Sequence, residues 1–202
     1  MSLKRFIRKI KYGKPIIIVS GLPRSGTSMM MKMVEAGGVE IATDGIRSAD
    51  DDNPKGYYEL ERVKDLDKHK DKSWLIALRG KAVKIISYFL KELPDENNYK
   101  VIFIERNLQE ISASQNKMLS NRGEPLDPAN ERKIIEKFET HLKKVRYMLC
   151  KTPHFETIFI NHREVLNNPY EQAKRVNKFL GGCLNEEKMT GVVDQNLYRN
   201  RK

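Results

Sequence analysis

Gly21, Arg24, Ser25, Gly26, Thr27 and Ser28 stand within one short stretch, GLPRSGTS, and together they can hold an anion. Glycines let a backbone come close to a ligand, a guanidinium supplies positive charge, and hydroxyls supply short-range donors. That set suits a phosphate or a sulfate. The flanking residues strengthen the reading. Residues 16–19 (IIIV) are apolar and β-favouring, the pattern of a short strand buried inside a parallel sheet. From Thr27 onward Met29, Met30, Met33 and Val34 recur at helical spacing, and Gly37-Gly38 stops the run. In a strand–turn–helix junction the turn N–H groups and the positive end of the helix converge on one point.

The spacing from Gly21 to Ser28 has the two glycines and the final hydroxyl of the nucleotide-binding P-loop, GxxxxGK[ST]. Thr27 stands where that loop has its lysine, and the cation lies inside the turn instead, as Arg24. A P-loop kinase needs the lysine at the β/γ-phosphates and a Mg²⁺-binding acid after a strand, so it is the weaker rival reading. PRSGTS instead resembles the 5′-phosphosulfate loop of sulfotransferases, [KR]-S-G-T-[ST]. The resemblance implies that Arg24, Ser25, Gly26, Thr27 and Ser28 bind the 5′ end of 3′-phosphoadenosine 5′-phosphosulfate (PAPS). Adenosine 3′,5′-bisphosphate is then the spent product, and no metal is required.

A second constellation follows the clearest remaining strand, residues 99–105 (YKVIFIE). Arg106 sits at its carboxyl end, and Ser114 comes eight residues later, about two helical turns on. Sulfotransferases carry this R-(x)7-S pair to hold the 3′-phosphate of PAPS. The segment FINHREVLNNP, residues 159–169, and the helix ending Phe179-Leu180-Gly181 resemble the family's later strand and its "FLG" helix. His162 falls where the family has an aromatic residue near the adenine; an imidazole can still stack or hydrogen-bond there. Arg199 and Arg201, in LYRNR, resemble a tail that reaches the nucleotide in bacterial members. The likeness runs over residues 15–201 and is weakest in the middle.

Sulfuryl transfer requires in-line positioning, neutralisation of the leaving oxygen and removal of the acceptor's proton. Arg24, the Thr27 and Ser28 hydroxyls and the loop N–H groups answer the second need. Many sulfotransferases take the proton with a histidine just after a strand-end lysine. Here Lys84 supplies the lysine, and no histidine stands beside it. A carboxylate is the substitute, with Glu59 first and Asp44 next. Glu59 closes an NPKGYYE stretch similar to a segment of bacterial members. The expected activity is transfer from PAPS to a hydroxyl or amine on a small molecule, glycan or lipid, with an acidic acceptor favoured by charge. A non-catalytic nucleotide- or polyanion-binding domain is the rival that would keep both phosphate sites and lack the base.

These residues need a scaffold, and the rest of the chain describes one. Short β-prone stretches at 39–42, 83–86 and 155–160 join the strands at 16–19 and 99–105. Helical patterns fall at 60–66, 74–78, 109–119 and 130–149, and a helix ending at Leu93 is stopped by Pro94. Pro169 opens a further helix that Gly181 closes. Strands alternating with helices imply an α/β fold: one doubly wound domain over 1–202 with a mostly parallel central sheet. The 202 residues, 39% hydrophobic and 8% aromatic, suffice for a globular core. The net charge of +11 fits an anionic nucleotide, and no groove-reading motif argues for nucleic acid.

No apolar run approaches the ~20 residues of a membrane span. Cys150 and Cys183 form no metal-like spacing and read as reduced thiols, so the expected location is cytoplasmic. Residues 1–14 form a basic N-terminal segment with Phe6, Ile7 and Ile10 among its cations. An amphipathic lead-in to the first strand is the simpler reading, and weak contact with anionic lipid is the other.

Overall fold

The computed structural model describes residues 3–45, 58–121 and 128–194. It opens with α1 (Leu3–Tyr12), β1 (Ile16–Gly21) and α2 (Thr27–Ala36). Two 3-10 helices, Glu61–Asp65 and Ser73–Leu78, lead to β2 (Ala82–Lys84) and a third, Ser87–Glu92. Then come β3 (Tyr99–Glu105), α3 (Leu108–Asn121), α4 (Pro128–Lys151), β4 (Phe155–Asn161), α5 (His162–Asn167), α6 (Pro169–Leu180) and α7 (Glu186–Gly191).

The four strands form one parallel sheet in the order β2-β1-β3-β4. Ile18 of β1 is in register with Val83 on one side and Val101 on the other. Side chains alternate between faces, so each strand feeds two apolar layers. Ile16 and Ile18 pack with Val83, Ile85, Phe103 and the inner residues of α4, Val145 and Leu149. Val19, Ile102 and Ile104 turn the other way, onto Met30 and Val34 of α2, Val176 of α6 and Met189 of α7. Every strand is thus covered on both sides, which explains the unbroken apolar runs of β1 and β3.

The chain leaves β1 for β2 at one edge and then crosses back to β3 on the other side. The crevice between the carboxyl ends of β1 and β3 is therefore the topological switch point, where such sheets bind ligands.

Several local expectations need correction. Residues 39–42 form no strand; only Ile41 makes an isolated parallel bridge to Ala82, framed by Ala82 N–H to Glu40 O and Ala42 N–H to Ala82 O. The helices expected at 60–66, 74–78 and up to Leu93 are all 3-10 helices, each too short to repay α-helix nucleation. Two helices, α5 and α7, were not expected at all. Each opens on an asparagine whose side chain accepts the first backbone N–H groups, Asn161 for α5 and Asn185 for α7.

Candidate functional site

Val19, Ser20 and Gly21 end β1, and the chain then turns through Leu22 to Gly26 before α2 begins at Thr27. Two residues of this turn adopt left-handed backbone: Gly26 with φ 101° and Arg24, a non-glycine, with φ 69°. A non-glycine residue held in this region is strained, and such strain clusters at ligand-gripping turns. A Cβ on Gly21 would lie 2.7 Å from the carbonyl of Ile104 and inside contact distance of Ser25 Oγ. A Cβ on Gly26 would overlap the ring of His162, with Nε2 at 3.1 Å. Both glycines are thus required by close approach, and the loop is held against β3 and α5.

No side chain caps α2 at Gly26, so the positive end of the helix lies at the loop without a side-chain cap. Ser25 is buried, and its Oγ has no hydrogen-bond partner among the described residues. Thr27 is buried beside it. The positive helix end and a buried hydroxyl with no partner among the described residues lie side by side, an arrangement that suits an oxyanion.

The arginines complete the cradle. Arg24 Nε donates to Ser114 Oγ of α3 at 3.0 Å, and Arg106 Nη1 donates to the Arg24 carbonyl at 3.0 Å. The two members of the R-(x)7-S pair therefore meet through Arg24 rather than each other. Arg106 Nε donates to Glu110 Oε2 at 2.9 Å, and Arg163 Nη2 of α5 donates to Glu110 Oε1 at 3.0 Å. Glu110 is only 3% exposed and holds both guanidiniums in place beside the loop. His162 opens α5, packed on Gly26. Burial, reinforced by the Arg106 guanidinium and opposed by Glu110, pushes the imidazole down to about 4, so the ring is neutral at neutral pH.

A second group lies at the end of β2. Lys84, mostly buried, faces the same side of the sheet as Ala82 and α2. Its ammonium lies 3.5 Å from Glu59 Oε1, and Lys64 Nζ lies 3.2 Å from Glu59 Oε2. The Glu59 backbone carbonyl accepts from Thr43 Oγ1 at 2.8 Å. Asp44 is engaged elsewhere: its carboxylate accepts the Glu61 N–H at 2.5 Å, where it caps the 3-10 helix. Tyr58, with φ 52°, donates to Glu35 Oε2 at 2.6 Å, and burial together with that carboxylate raises its hydroxyl pKa. Arg199 and Arg201, and the Asn53–Tyr57 part of the NPKGYYE stretch, lie outside the described residues.

Four residues of interest escaped the sequence reading. Glu110 stands four after Arg106, an i,i+4 pairing that spacing alone could have revealed. Arg163 had no local signal. Nor did the pair formed by Ser87 Oγ and His141 Nε2, 2.9 Å apart, because α4 brings His141 from far along the chain. The His141 ring stacks on Tyr88 with centroids 4.0 Å apart. Burial, with Lys144 and Lys91 nearby, lowers its pKa. Ser87 is 1% exposed and follows Lys84 by three residues.

Comparison with known proteins bears on this site. The family model described as "Sulfotransferase domain" matches residues 14–202. Among solved structures, the sulfotransferase domain from the curacin biosynthetic pathway superposes with a TM-score of 0.55 at 13% identity, covering 90% of this chain and 78% of that one. The sulfotransferase domain of the Synechococcus PCC 7002 olefin synthase gives 0.51 at 14% identity, covering 93% and 83%. At those identities the two structures speak for the fold alone. No curated protein sequence matches the chain. The family match spans both candidate anion-binding constellations and the sheet that carries them, and the chain belongs to the sulfotransferase-domain family.

Proposed function

We propose that the chain transfers a sulfuryl group from PAPS to a hydroxyl or amine acceptor. The observation that carries this is the meeting of Arg24, Ser114 and Arg106 at the crevice between β1 and β3, beside an uncapped helix end. When bound, PAPS supplies the sulfuryl group and leaves as adenosine 3′,5′-bisphosphate. The residues suit that donor. Ser25 Oγ, buried and unpartnered, and the loop amides take the 5′ end with Thr27 and Ser28. Arg106 and Ser114 take the 3′-phosphate, with Glu110 and Arg163 fixing the guanidinium. His162, neutral and packed on Gly26, presents a flat ring to the base without adding charge. Arg199 and Arg201, outside the described residues, are proposed to reach the nucleotide. Arg24 turns its guanidinium toward charge developing on the leaving oxygen.

On the acceptor side, Lys84 and Glu59 form the polar pair at the end of β2. Glu59 is the proposed proton acceptor, with Lys84 steadying the leaving group. A second reading has its own observation: Ser87 and His141 make a hydrogen-bonded pair three residues from Lys84, and a neutral imidazole is the commoner general base. The test is calorimetric titration with adenosine 3′,5′-bisphosphate, followed by labelled PAPS presented to a panel of phenols, sugars and amines. Tight nucleotide binding with transfer to one class supports the proposal. Binding with no transfer to any class, and no slow release of sulfate to water, favours the non-catalytic rival.

A further inference from the structure

The described side chains of the first helix, residues 7–12, belong to neither the crevice nor the apolar core. Among the described side chains, Arg8 ties α1 to the body: its Nε donates to Asn98 Oδ1 at 3.2 Å, and its Nη2 donates to the carbonyls of Asp95 and Asn97 at 2.5 and 2.9 Å. Asn98 Nδ2 donates back to the Arg8 carbonyl at 2.9 Å. The Arg8 guanidinium also lies over the Tyr12 ring, 4.8 Å from its centroid. Positions 8 and 12 therefore define the face of α1 turned to the protein, and its rotation about its own axis is set.

At about 100° per residue, positions 3, 6, 7 and 10 fall in one sector of about 100°, roughly opposite 8 and 12. The sequence places Leu, Phe, Ile and Ile there. Ile7 is 54% exposed and Ile10 71% exposed, large β-branched side chains held out into water. Positions 4 and 11 flank the sector on one side and 5 and 9 on the other, and all four are Lys or Arg. Lys9, Lys11 and Lys14 are exposed, and residues 1–14 contain no acid. An apolar sector bordered on both sides by cations, on a helix that cannot rotate to hide it, fits a surface that is apolar below and anionic above.

We propose that α1 seats the protein on an anionic lipid surface, with Ile7 and Ile10 in the acyl boundary and Lys9, Lys11 and Lys14 among the headgroups. Nucleic acid would use the cations and leave the isoleucines in water. A second copy of the chain would bring a like-charged helix against this one. Asp95, Asn97 and Asn98 immediately precede β3, so α1 sits at the amino ends of the strands, and the crevice opens at their carboxyl ends. A seated molecule thus turns its candidate site away from the bilayer by about 20 Å, the length of a six-residue strand. It would meet acceptors dissolved in water, not ones buried in the same membrane.

The test is co-sedimentation of the full chain with vesicles of phosphatidylcholine alone and with about 30% phosphatidylglycerol added. Binding is expected to the anionic vesicles, to weaken with salt, and to be far lower on the neutral ones. Ile7→Gln with Ile10→Gln keeps the charge and the helix, and should lower partitioning at least about tenfold. Lys9→Gln with Lys11→Gln should lower it several-fold and flatten the salt dependence. Affinity for adenosine 3′,5′-bisphosphate should be unchanged in both variants, which separates this result from any failure of the site. No binding to anionic vesicles overturns the proposal, as does binding that the isoleucine variant leaves intact. So does a dimer, seen by sedimentation without lipid, that the isoleucine variant dissolves.

Discussion

Arg106→Ala is the most informative change at the candidate site, because the structure assigns the side chain several jobs of different size. Its guanidinium donates to the Arg24 carbonyl at 3.0 Å and to Glu110 at 2.9 Å, and Glu110 is almost completely buried. Removing it leaves a buried carboxylate with Arg163 still at 3.0 Å, so the fold loses part of a pair instead of stranding a charge. A cost of about 1–3 kcal/mol is expected, which for a chain of this size lowers Tm by roughly 2–10 °C. A charge-assisted contact to the 3′-phosphate is worth about 1.5–3 kcal/mol, or ten- to a hundredfold in Kd. Calorimetry should therefore show adenosine 3′,5′-bisphosphate losing ten- to a hundredfold in affinity while 5′-AMP loses much less. Arg106→Lys keeps the charge but not the fork, and should fall between. If both nucleotides bind the parent equally and Arg106→Ala changes neither, the 3′-phosphate assignment is wrong, whatever the melting temperature does.

Glu59→Gln should lower turnover by ~10²–10⁴ with donor affinity nearly constant, and His141→Gln should leave turnover within a few-fold. The opposite pattern gives the proton to His141. Donor binding should survive excess EDTA, because Arg24 and the loop amides supply the positive charge; nucleotide binding that depends on Mg²⁺ would favour the kinase reading. His162 is held down to about 4 in the folded protein, against about 6.5 unfolded. Between those values the unfolded chain takes up the proton and the folded one does not. Above about pH 6.5 this residue costs nothing; as pH falls from there toward 4, stability should drop by up to about 1.4 kcal/mol per unit. Urea midpoints at neutral and mildly acid pH should show a shallower slope in His162→Gln, and an identical slope would refute the assignment.

The glycine-rich turn and the strands around it were legible in the sequence because their signals are local. Four apolar β-formers, a glycine pair at fixed spacing and a stripe of methionines are each confined to a few residues, and β1, β3 and α2 followed. The 3-10 helices were misread because apolar runs of five or six residues do not distinguish one helical turn type from another. What stayed hidden was tertiary. Nothing near Ser114 says that its hydroxyl meets Arg24, ninety residues away, and nothing near Ser87 announces His141. Glu59 was visible as a carboxylate, but the two ammonium groups facing it depend on the packing of β2 and the 3-10 helix that follows residue 60. Type and order of elements can be read along the chain; partnerships across the crevice cannot.

Leu22, the first loop residue after β1, is buried with Ile111 of α3 and Phe138 of α4, and Ile134 and Leu142 pack against them. The turn proposed to hold the donor thereby packs against α4, the helix whose next turn carries His141 toward Ser87. If the acceptor rests on α4, as the Ser87–His141 reading has it, its binding should be felt at the loop, and by reciprocity a loaded loop should alter how firmly that acceptor is held. That packing is apolar, whereas the proposed donor contacts run through arginines. Ionic strength should therefore act on the two differently: salt weakens the grip on the nucleotide but leaves intact the factor by which one substrate helps the other to bind.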